Sequence, residues 1–163
     1  GDWLYRGLHR AGFANQPASV GLNDGLELRG AFVTAPVKCA PPANKPTGEE
    51  RDACRPWLEA ELDLLSDVRV VVALGSFAWT QALAVLETRG FTVPTPRPRF
   101  GHGAEVRLGS PRAPGNEPDP ALTLLGSYHP SQQNTFTGTL TEKMFDAVWA
   151  RARELLSNAG NRT

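Results

Sequence analysis

The stretch VRVVVALGSFAWTQALAVLETRG, residues 68–90, decides the fold class. Val68 to Leu74 is almost wholly apolar and β-branched, the composition of a parallel strand covered on both faces and therefore central in its sheet. Gly75 and Ser76 turn the chain, a helix over residues 77–87 follows, and Gly90 supplies its carboxyl-terminal stop. Those residues make one complete strand-loop-helix unit.

Working outward, the same alternation recurs. Leu122 to Tyr128 reads as a second apolar strand, and from Thr141 onward Phe145, Val148, Ala152, Leu155 and Leu156 share one face of a helix. Upstream, Leu4, Leu8 and Ala11 at helical spacing predict an amphipathic helix over residues 2–11, stopped by Gly12. The run Ala31, Phe32, Val33, ahead of Val37, predicts a buried strand that leads into Cys39 and a proline-rich loop. Thr47 with Glu50 three residues later is a capping box that starts a helix, and Pro56 ahead of Trp57, Leu58, Leu62 and Leu65 predicts a further helical start. Residues 94–120 read as irregular structure around one short strand near Val106, with 110–120 a surface-loop insertion. Strands alternating with helices imply an α/β fold, a mainly parallel sheet with helices on both sides, in a single domain over residues 1–163.

Composition bounds the function without choosing it. Seventeen basic and seventeen acidic side chains cancel, so any contact with a polyanion must come from a local patch. Two cysteines, no signal-peptide pattern and no apolar run near the roughly 20 residues of a membrane span predict a cytoplasmic protein that meets no membrane.

In open parallel sheets ligands bind beyond the carboxyl ends of the strands, and three segments are expected there: Cys39 to Asn44, Gly75-Ser76, and His129 to Asn134. His129 follows a strand and precedes Pro130, which disfavours helical geometry and fixes the ring at a strand edge. An isolated His-Pro-Ser is still more often a histidine bonded to nearby backbone. Ser131, Gln132, Gln133, Asn134 and Thr135 supply hydroxyls and amides suited to phosphate and base-edge contacts, or to an ordinary polar turn. Cys39 and Cys54 are half of a tetrathiolate metal site, a disulfide, or two unconnected thiols. Arg97, Arg99, His102 and Arg107 form a possible phosphate-binding strip or a solvated loop, and His9 and His102 carry no functional signal of their own.

The segments KCAPPANKPTGEERDAC (38–54), VVVALGSFA (70–78) and GSYHPSQQNTFTGTLTEKM (126–144) resemble the family 5 uracil-DNA glycosylases, the iron–sulfur branch of that superfamily. Family 4 shares an HPS motif but places asparagine four residues before the cysteine, where this chain has Ala35. A second departure is Thr139, where the family pattern has arginine. The resemblance implies a three-layer α/β/α sandwich on a short parallel sheet. It implies excision of uracil, and of related deaminated bases such as hypoxanthine, by hydrolysis of the N-glycosidic bond at the start of base excision repair. His129 would donate to the departing base, Asn44 would meet the base edge, and Ser131, Gln132, Gln133 and Asn134 would enter the minor groove. Cys39 and Cys54 would be two of four ligands of a 4Fe-4S cluster. The expected partner is uracil-containing DNA, single- or double-stranded, met by a monomer in a bacterial or archaeal cytosol or nucleoid. The resemblance further implies that the chain begins late, after a segment carrying the other two cysteines and the water-positioning groups. The competing reading is a non-catalytic iron–sulfur module that binds nucleic acid or carries electrons.

Overall fold

A computed structural model of the chain describes residues 2–39, 46–110 and 122–160. Asn44 and most of the expected insertion at 110–120 lie outside those residues. The elements are α1 (Asp2–Arg10), α2 (Gly48–Leu64), β1 (Val70–Leu74), α3 (Ser76–Thr88), β2 (Glu105–Leu108), β3 (Leu122–Ser127), α4 (Gln132–Phe136) and α5 (Glu142–Gly160).

Among the described residues the sheet has the order β1-β3-β2. β1 runs parallel to β3, with Val70 opposite Thr123 and Leu74 opposite Ser127, whereas β2 pairs antiparallel, with Glu105 opposite Leu125. All six residues of β3 are buried, so it, and not the more strongly β-branched β1, is the central strand. One sheet face packs Ala73, Leu122 and Leu124 against Trp79, Leu83 and Leu86 of α3. The other packs Leu125, with Val70 and Val72, against Val148 and Ala152 of α5. Beyond them α1 closes on α5 through Leu8, Phe145 and Trp149. A Cβ at Gly7 would stand 2.8 Å from the Phe145 ring, so only glycine allows that approach. Helices on both faces of a small mixed sheet make the expected α/β/α arrangement.

Two expectations are corrected. Residues 31–33 form no strand: Phe32 and Val33 are 55% and 41% exposed, and the nearest pairing is the single bridge Ala14–Leu28. Strand propensity reflects fit to a half-buried pleated surface, and no ladder partner is present for this run among the described residues. Nor does Pro56 start a helix. The capping box does form, with Thr47 Oγ1 accepting from Glu50 N–H and the Glu50 carboxylate accepting from Thr47 N–H, and α2 then continues through the proline. An interior proline costs about 3 kcal/mol. Burial of Leu58, worth roughly 1.5–3 kcal/mol, offsets much of that and keeps the helix whole. Cys54 consequently lies on α2 and not in a loop.

Candidate active site and thiol pair

The last residues of β3 are held from both sides. Ser127 O accepts from Gly75 N–H at 2.8 Å, extending the β1 ladder. On the other edge Gly126 N–H donates to Ala104 O and Gly103 N–H to Gly126 O, both at 2.8 Å. Gly126 has to be glycine, since a Cβ there would fall 2.4 Å from Gly101 O. Gly75, at φ 93°, begins α3 beside His129, and a Cβ added to it would lie 3.4 Å from the His129 Cβ. A side chain at position 75 would therefore be strained and pressed against His129 at once.

Beyond His129 the loop closes on itself. Ser131 caps α4 by accepting from Asn134 N–H at 3.3 Å, and the Asn134 side-chain amide donates to His129 O at 2.9 Å. Thr135 Oγ1 donates to Ser131 O at 3.0 Å, and Leu140 N–H to Asn134 O at 2.9 Å. Ser131 and Asn134 thus spend polar groups on building the loop, while Gln132, Gln133 and Phe136 are exposed. Thr139 is engaged with Thr137, hydroxyl to hydroxyl, at 2.9 Å. His129 itself is exposed, yet crowding by the protein desolvates its imidazole and lowers its pKa below the usual 6.5. At neutral pH the ring is uncharged and keeps one N–H to donate. Among the described residues nothing hydrogen bonds to it.

Cys39 and Cys54, fifteen positions apart, are brought together with both thiols free. Lys38 N–H donates to Cys54 Sγ at 3.3 Å, and desolvation together with the Cys54 sulfur raises the Cys39 pKa. Lys38 itself is fixed by Glu61, Nζ to Oε2 at 2.7 Å. Neighbouring thiols with a backbone N–H on one sulfur fit half of a tetrathiolate site, and a metal would displace their protons. Among the described residues no third cysteine, histidine or carboxylate joins them in a metal-holding group.

Of the four residues of the possible basic strip, Arg99 and Arg107 are exposed. Arg97 pairs with Glu87 at 2.9 Å, and His102 is committed to Tyr128 N–H and Met144 O. The sequence reading gave His102 no role of its own, and its local signal is the pair of flanking glycines, Gly101 and Gly103.

The described residues include no helix long and apolar enough to cross a membrane. The sequence profile of the uracil DNA glycosylase superfamily matches residues 1–153. The type-5 uracil-DNA glycosylase of Mycobacterium tuberculosis is 50% identical over 156 residues, covering 95% of this chain and 53% of its own length. That of Mycobacterium leprae is 47% identical, with coverage of 95% and 62%, and that of Thermus thermophilus 46% identical, with coverage of 95% and 64%. The chain thus spans between half and two thirds of the length of these curated relatives. With a profile match over nearly its whole length and an α/β/α fold carrying a histidine at the end of its central strand, the chain belongs to the uracil DNA glycosylase superfamily.

Proposed function

We propose that the protein bearing this chain excises uracil from DNA, single- or double-stranded, by hydrolysing the N-glycosidic bond. The observation that carries the reading is the neutral, donor-bearing His129 at the end of a strand whose last residues are tied on both sides. A stacked base is out of reach of protein side chains, so the nucleotide must first be flipped, at a cost of a few kcal/mol that is lowest for mismatches such as U·G. When the bond between C1′ and the base nitrogen breaks, its electron pair leaves with the base and negative charge gathers at O2. The His129 N–H donates there, stabilising the transition state more than the ground state. Water then adds to the sugar cation at C1′, and the proton it loses neutralises the departed base anion. The exposed Gln132 and Gln133 meet the duplex, while Ser131 and Asn134 hold the loop in shape. We assign Asn44 to the base edge by its resemblance to the family position.

Cys39 and Cys54 would supply two thiolates to a 4Fe-4S cluster, whose contribution when bound is to cross-link the 31–39 segment and α2 to the remaining ligands. The family resemblance further supports a monomer acting in the cytosol, with hypoxanthine and other deaminated bases as additional substrates.

The test uses the intact protein, purified without oxygen, on a U·G duplex, with alkali to reveal abasic sites. Strand breaks at the uracil, from a brown protein containing iron and sulfide, are expected. Uracil DNA bound but never cleaved after alkali would replace this reading with the non-catalytic iron–sulfur module.

A further inference from the structure

We propose that His102 is a positioning residue for the His129 loop, acting as a neutral imidazole that completes the hydrogen-bond ladder on β3. The proposal rests on the function proposed above and concerns how its central group is aimed. The β2–β3 ladder continues past its last registered pair, Glu105 and Leu125, through the two bonds between Gly126 and residues 103–104. At the next ladder position the partner chain has turned away, with Ala104 N–H donating back to Gly101 O and Gly103 at φ 75°. The imidazole of His102 takes the place a carbonyl would have held: its Nδ1 accepts from Tyr128 N–H at 3.1 Å.

That bond dictates the tautomer. An accepting Nδ1 carries no proton, so the neutral ring has its hydrogen on Nε2, and Nε2 lies 3.2 Å from Met144 O, a pure acceptor. Met144 sits in the first turn of α5, where its own N–H donates to Thr141 Oγ1 at 3.2 Å. One ring therefore fastens the end of β3 to the start of α5. Aromatic contacts hold the ring itself, His102 on Tyr128 at 5.1 Å, Tyr128 on Phe100 at 6.2 Å, and Phe100 on Trp79 at 6.1 Å. Tyr128 immediately precedes His129, so fixing its amide fixes the peptide from which the His129 side chain departs. A donor misplaced by about 1 Å can cost on the order of 10²-fold in rate.

Three substitutions in the intact protein separate this role from mere packing. His102→Phe keeps a ring for the aromatic contacts and removes both bonds. His102→Asn keeps an acceptor near the Nδ1 position, and His102→Gln keeps a donor near Nε2. Single-turnover excision is expected to fall roughly 10- to 100-fold in His102→Phe, to recover in His102→Asn and to stay low in His102→Gln, with duplex affinity unchanged. Nitrogen NMR should show a bare Nδ1 and a protonated Nε2 on His102 in the wild type, and the Tyr128 amide should exchange faster in His102→Phe than in His102→Asn. A protonated Nδ1, or wild-type excision by all three variants, would overturn the proposal. A wild type that excises no uracil overturns the proposed function instead, and the tautomer and Tyr128 exchange then decide the positioning role alone.

Discussion

The run that ends at His129 and the run led by Ala31 are both short apolar stretches entering polar or proline-rich sequence, and the sequence predicts a strand for each. β3 is buried along its whole length, and residues 126–128, which lead from it to His129, are bonded alternately to its two sides. Residues 31–39 instead lie in irregular structure, with side-chain bonds among Thr34, Lys38 and Glu61 and one N–H to sulfur. A strand is made by its neighbours more than by its own residues, so two similar runs diverge once only one of them finds a ladder. The same contrast fits the proposed roles: the tied strand end suits a group that must be aimed, and the irregular segment suits Cys39, which a metal could draw toward Cys54 on α2.

Glycine substitutions should expose that difference most strongly. Gly126→Ala drives a methyl group into the Gly101 carbonyl at a tied ladder and should cost about 3 kcal/mol or more. Gly30→Ala, at φ 65° with no atom within 4 Å of the added methyl group, should cost only about 1 kcal/mol of left-handed strain. Urea unfolding of both variants checks the ordering, and equal losses would dissolve the comparison. A smaller effect is expected at the cap of α4: Ser131→Ala should lower stability by about 1 kcal/mol and slow excision by loosening the loop beyond His129. An unchanged rate would mean that the loop is held without its cap.

Acid sharpens the picture further. The folded state keeps His129 neutral to lower pH than the unfolded chain does, because its pKa is lowered from 6.5 by desolvation. Its titration leaves stability untouched above that value and removes stability as pH falls through it, since the unfolded chain takes up the proton first. Excision that needs the neutral ring should therefore persist below pH 6.5, with its acid limb at the lowered folded pKa. A His129-dependent limb centred at or above 6.5 would contradict this environment.

Much of the fold was legible because its signals are local. The β-branched run of β1, the stop at Gly90 and the Thr47–Glu50 box are each read within a few residues and each appear in the structure. Pro56 misled because the burial of Leu58 that carries α2 through it is tertiary. The bonds of His102 were not legible for the same reason: its two partners lie 26 and 42 positions away, and nothing in Gly-His-Gly names them. The sequence places the proposed site at His129 and its polar loop, but the division of labour within that loop was not legible. Ser131 and Asn134 look like their neighbours Gln132 and Gln133 in sequence and differ only in the bonds the fold gives them.

The central claim is that His129 is the donor which makes uracil a leaving group, and single-turnover excision from a U·G duplex by His129→Ala against wild type tests it most directly. The account predicts a loss of about 10²–10³-fold, as for removal of one donor from an oxyanion site, with duplex binding nearly unchanged. Excision by the variant at close to the wild-type rate would contradict it.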